Sequence, residues 1–142
     1  MATTRIANAH WEGSLLEGAG NVSLDSSNTG KFDVTWASRA EKPDGLTSPE
    51  ELLAAAHSTC FSMALSHGLA GNGHAPQEVD TRAEVDFVPG TGITQIRLTV
   101  RARVEGLSNE EFLAAAEDAR ENCPVSQALK AVDITLDAAL KD

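Results

Sequence analysis

The sequence predicts an α+β fold: antiparallel strands around a long buried central helix. Three observations carry this. The stretch Thr47–Gly71, T-S-P-E-E-L-L-A-A-A-H-S-T-C-F-S-M-A-L-S-H-G-L-A-G, opens with helix-start chemistry and is apolar on nearly every face. Ile96, Leu98, Val100, Ala102 and Val104 alternate with Gln95, Arg97, Thr99, Arg101 and Arg103, the period of a half-buried strand. The element order, strands then a long helix then strands, helices and a strand, lacks the regular alternation of a βαβ parallel sheet. At 142 residues the chain suits one domain, 1–142, with a real core.

In order along the chain, Ile6 to Trp11 gives a weak strand signal. Val22 and Leu24, then Phe32, Val34 and Trp36, alternate with polar neighbours across a turn at Ser26–Gly30. Trp36–Arg39 leads into a loop, Ala40–Leu46, containing Pro43 and Gly45. Ser48 then N-caps the central helix, Pro49 fits the first helical position, and Glu51 completes a Ser-x-x-Glu capping box. A helix apolar all round is expected to be covered on all sides. Gly68, Gly71 and Gly73 mark its end. Val79–Val88 and the Ile96 strand, joined through Pro89-Gly90-Thr91-Gly92, read as an antiparallel hairpin whose arginine face meets solvent. Ser108-Asn109-Glu110-Glu111 repeats the capping box and opens a helix over Glu110–Asn122. Pro124 breaks it, Val125–Val132 forms a further short helix, and Ile134, Leu136, Ala138 and Leu140 form a closing strand.

A net charge of −10 argues against nucleic acid or an anionic membrane as a partner. His57, Ser58, Thr59 and Ser62 interrupt the central helix, so no apolar run is long enough to span a bilayer. The first residues, M-A-T-T-R-I-A-N-A-H-W, carry no export pattern, which points to the cytoplasm. There the two cysteines, Cys60 and Cys123, read as a reactive pair, a metal pair or two buried thiols rather than as a structural disulfide.

With Pro124 opening a new helix, Cys123 falls at its N-cap, where free backbone N–H groups favour a thiolate. The plainer reading is a partly buried thiol at a helix junction. Cys60 lies among apolar neighbours inside a helix, and burial alone makes a thiol inert. It becomes a nucleophile only if a cation reaches it. Arg39 is the nearest arginine before the helix, and His57 shares the helical face of Cys60. Glu51 is explained by capping; Glu50 has only the helix dipole to explain it. Two distant cysteines and four scattered histidines make no zinc site. Nothing matches a nucleophile elbow, a Walker loop or a dinucleotide fingerprint.

The runs S-P-E-E-L-L-A-A-A-H-S-T-C-F-S-M-A-L, N-C-P-V-S-Q-A-L-K-A and I-T-L-D-A-A-L, with H-W-E-G at His10–Gly13, resemble the OsmC/Ohr family of hydroperoxide reductases. The H-S-T-C and C-P-V-S wording favours its osmotically inducible protein C (OsmC) branch. That resemblance implies a thiol peroxidase. Cys60 corresponds to the peroxidatic cysteine and Cys123 to the resolving one. Arg39 would be the activating cation and Glu50 the acid that orients it. His57, Phe61 and Met63 are candidates for the wall of a substrate pocket suited to organic hydroperoxides. No bound cofactor or metal is implied; an external, lipoyl-linked dithiol reductant protein would restore the thiols. The other readings are a non-catalytic binder of a small apolar ligand and a redox sensor on the same fold.

The resemblance also implies an intertwined homodimer, and helix geometry agrees. Glu50 and Cys60, ten residues apart on one helix, are separated by about 15 Å and about 80° of azimuth. If both serve one site, the helix breaks between them or one comes from a second chain.

Overall fold

The structure, a computed structural model, describes all residues, Met1–Asp142. The chain forms two compact units, Met1–Leu52 and Leu53–Asp142. Its α+β class is as expected.

In the first unit, β1 (Asn8–Glu12), β2 (Ala19–Ser23) and β3 (Lys31–Val34) form an antiparallel meander in that order. Asn28 makes the turn between β2 and β3 with φ of 56°, a left-handed conformation that asparagine tolerates. At Gly20 the strands approach so closely that a Cβ would lie 2.3 Å from the His10 carbonyl and 2.7 Å from the Trp11 ring. Trp36 does not extend β3. It begins a short helix, α1 (Trp36–Ala40), where the sequence pattern suggested strand and then loop. The cause is a reciprocal cap: Ser38 N–H donates to Thr35 Oγ1 at 3.1 Å, and Thr35 N–H donates to Ser38 Oγ at 3.0 Å. Thr47 N–H donates to the Asp33 carbonyl, and Ser38 Oγ donates to the Thr47 carbonyl at 2.9 Å. The loop between α1 and the next helix is thereby pinned at its far end.

That next helix, α2, runs unbroken over Pro49–Gly71. Glu51 N–H donates to Ser48 Oγ at 3.1 Å, as the cap predicts, while the Glu51 carboxylate accepts from Thr47 Oγ1 at 2.6 Å. In the second unit β4 (Glu78–Val88) and β5 (Gly92–Arg103) form the expected hairpin. Its polar face is ion-paired as well as exposed: Arg97 grips Asp86 through two bonds of 2.8 and 2.7 Å, and Arg101 meets Asp137 at 3.3 Å. The helix α3 (Asn109–Asn122) starts at the Ser108–Glu111 capping box. It is followed by α4 (Pro124–Ala128), shorter than expected, and by β6 (Asp133–Leu140).

Two expectations need correction. β6 lies parallel to β5, so the sheet order β4-β5-β6 contains one parallel pair, made by the α3–α4 crossover. Nor is α2 covered on all sides. His57, Phe61, Leu65 and Leu69 are buried at four-residue spacing, against Ile96, Leu98 and Val100 of β5 and Phe112 and Ala116 of α3. Ala55, Ala56, Thr59, Met63, His67 and Ala70 form the opposite face and stand exposed. No helix is long and apolar enough to cross a membrane.

Candidate active site

The first cluster lies within residues 1–52. Capped by Thr35, α1 presents Arg39 toward the first turn of α2, which presents Glu50. Arg39 Nε donates to Glu50 Oε1 and Nη2 to Oε2, both at 3.0 Å. Glu50 is only 6% exposed. A buried carboxylate costs several kcal/mol unless paired, and a two-pronged guanidinium contact is the pairing that offsets this best. The sequence explains Glu50 only by the helix dipole, and the family resemblance pairs it with Arg39; the structure shows that contact. Beside the pair lies an apolar cleft of about 360 Å³, lined by Trp11, Leu15, Val34, Trp36 and Pro49, with Arg39 as its charged wall. No local pattern shows that Trp11, Leu15 and Trp36 converge, because the alternation of β3 assigns Trp36 to a strand.

The second cluster lies within residues 53–142. Cys60 and Cys123 are both free thiols, Cys60 half-buried and Cys123 1% exposed, and they are near enough for Cys123 to influence the protonation of Cys60. Cys123 is the N-cap of α4, as the sequence predicts, with φ −62° and ψ 141°. Ser126 N–H donates to Cys123 Sγ at 3.4 Å, and Cys123 Sγ–H donates to Ser126 Oγ at 3.1 Å. Burial pushes the Cys60 thiol above its ordinary value; the Val125 backbone N–H works against this, while the neighbouring Cys123 raises it further.

His57, wholly buried, places Nε2 at 2.7 Å from Ser126 Oγ, and its Nδ1 is buried without a partner. Burial pushes its pKa down. His57 therefore stands behind Cys123, joined to it through Ser126, rather than lining a cavity. Phe61 is likewise sealed in the core at 0% exposure, and Met63 is 68% exposed. Ser126 was not singled out by the sequence reading. Its only signal was the third position after an N-capping cysteine, where a free backbone N–H is expected to turn back on the cap. No grouping of three or more His, Cys, Asp or Glu side chains could hold a metal ion.

The chain matches the family model described as OsmC-like protein over residues 42–137. It is 41% identical to Peroxiredoxin OsmC of Escherichia coli (strain K12), over 99% of both chains. With Organic hydroperoxide resistance protein OhrA of Bacillus subtilis (strain 168) it shares 32% identity, over 71% of this chain and 73% of that one. Among solved structures it resembles an organic hydroperoxide resistance protein OsmC from Legionella pneumophila, with a TM-score of 0.73 and 27% identity over 98% of each chain.

Proposed function

The chain belongs to the OsmC/Ohr family, on its OsmC branch, and from that premise we propose that it is a two-cysteine peroxidase that reduces organic hydroperoxides to alcohols. The observation that carries this reading is the pair of free thiols, Cys60 within α2 and Cys123 at the N-cap of α4, near enough for one to influence the protonation of the other. The names of the relatives, a peroxiredoxin and hydroperoxide resistance proteins, support the same chemistry.

The Cys60 thiolate attacks the distal oxygen of the hydroperoxide. The O–O bond breaks, the alcohol leaves, and Cys60 becomes a sulfenic acid. Cys123 attacks that sulfur, water is lost and a disulfide forms. An external dithiol, lipoyl-linked in this reading, returns both thiols by exchange. Arg39, held by Glu50, supplies the positive charge that a buried thiolate requires. An apolar cleft beside Arg39 favours an alkyl hydroperoxide over hydrogen peroxide.

The working form in this reading is a homodimer whose sites are shared. Two features support it. The exposed face of α2 carries Ala55, Ala56, Met63 and Ala70 beside Thr59 and His67, a partly apolar surface that a second copy would cover. And α2 is unbroken, so ten residues of helix, about 15 Å of rise, separate Glu50 from Cys60 of one chain. The Arg39–Glu50 pair of one protomer would thus serve the thiols of its partner.

Titration of free thiols after one equivalent of cumene hydroperoxide tests the chemistry. Rapid loss of both thiols, reversed by dihydrolipoamide, is expected; unchanged thiols would overturn the peroxidase. Fast oxidation that no dithiol reverses would favour a redox sensor.

A further inference from the structure

His57 is an expensive residue where it stands. Its ring is wholly buried, and a buried polar atom without a partner, here Nδ1, is destabilising. Its ring bonds Ser126 Oγ, whose other partner is the Cys123 sulfur. The three groups form a line, Cys123 Sγ, Ser126 Oγ, His57 Nε2, with links of 3.1 and 2.7 Å and exposures of 1%, 3% and 0%.

The direction of this line follows from its donors. The Cys123 thiol has one hydrogen, and it points to Ser126 Oγ. That leaves the Ser126 hydroxyl hydrogen free for His57, so Nε2 accepts and Nδ1 carries the ring proton. The unpaired Nδ1 is then the donor end of a neutral imidazole whose accepting nitrogen is aimed, through one hydroxyl, at a thiol.

Cys123 must lose its proton to act as a nucleophile, and at 1% exposure water has almost no access to it. We propose that Ser126 and His57 form a proton relay that serves the resolving cysteine. The inference rests on the two-cysteine reading. In the resolving step the Cys123 proton passes to Ser126 Oγ as the Ser126 proton passes to His57 Nε2. The Cys123 thiolate attacks the Cys60 sulfur; an S–S bond forms and the S–O bond breaks. The departing hydroxide becomes water, and the proton count closes when the imidazolium returns to neutral, which its burial favours. Net, a sulfenic acid and a thiol give a disulfide and water. During reduction the same line runs backward and delivers a proton to the leaving Cys123 sulfur. Ser126 touches the reacting sulfur, whereas His57 acts through it.

The test separates the two half-steps in a single turnover with cumene hydroperoxide. Peroxide consumption reports oxidation of Cys60, and quenched mass spectrometry reports the disulfide. In Ser126→Ala and His57→Gln, peroxide consumption should stay within about twofold of wild type, while disulfide formation slows on the order of a hundredfold, the usual scale of general acid–base assistance. Sulfenic acid, trapped by dimedone, should accumulate. Ser126→Thr, which keeps the hydroxyl, should restore the fast disulfide step. Variants that form the disulfide at the wild-type rate overturn the relay alone, as does an equal slowing of both half-steps, which marks a packing role. A wild-type protein that consumes peroxide but never forms the disulfide overturns the two-cysteine reading, and the relay with it.

Discussion

In residues 1–52 a charge is held by a charge: Glu50 is buried to 6% exposure and gripped at both oxygens by Arg39. In residues 53–142 every partner of the reactive groups is neutral: two backbone N–H groups, a hydroxyl and an imidazole whose burial keeps it uncharged. The first arrangement fixes a cation in place. The second brings two sulfurs near each other among neutral donors and acceptors, yet leaves the Cys60 thiol above its ordinary pKa. In the proposed reading, nucleophile and activating charge are prepared by different parts of the chain, each with the kind of bond that suits it.

The sharpest way to break this division of labour is at the sulfurs. Cys60→Ser should abolish peroxide reduction. Cys123→Ser should consume about one equivalent and then stall or over-oxidise, because the sulfenic acid forms but does not resolve. Full turnover of Cys123→Ser with a dithiol would remove Cys123 from its role. Next comes the charge. Arg39→Ala should slow the reaction at neutral pH by roughly tenfold to a hundredfold, since an opposite charge lowers a pKa by about one to three units. A thiol whose pKa is raised is mostly protonated at neutral pH, so the rate climbs as pH rises; losing Arg39 should push that climb to higher pH. An unchanged pH–rate profile would show that another cation activates Cys60. Smallest in signal is a mixing experiment. Refolding equal amounts of the inactive Cys60→Ser and the slowed Arg39→Ala proteins together should recover about a quarter of wild-type activity, because half of randomly paired dimers are mixed and each holds one intact site. No recovery would place Arg39 and Cys60 of a site on the same chain.

Much of this was legible in the sequence where the signal is local. Ser48-Pro49 and Ser108–Glu111 start helices as written, and Cys123-Pro124 caps α4. The alternation of Ile96 to Ala102 becomes the buried row of β5. The misreadings share one cause, that a local pattern was extended past its authority. Period two carried Trp36 into β3, although a Thr35–Ser38 cap turns the chain into α1. Five alanines and small polar residues make α2 read as apolar all round, but that pattern does not say which of its faces this chain itself covers, and Ala55 and Ala56 stand exposed. The parallel pairing of β6 and the meeting of Ser126 with His57, 69 positions away, are matters of topology, on which periodicity is silent.

That parallel pairing also sets a timetable. Two parallel neighbours cannot be joined by a tight turn, so β6 reaches β5 only after α3 and α4 have been made, and Arg120 of α3 then donates to the Ile134 carbonyl of β6. On the ribosome, at about 5–20 residues per second, Cys60 emerges several seconds before Cys123, 63 positions later. For that interval the nascent chain carries the Cys60 thiol without the second cysteine that the proposed mechanism uses to rescue it. In that reading the protein is most exposed to irreversible oxidation while still being born.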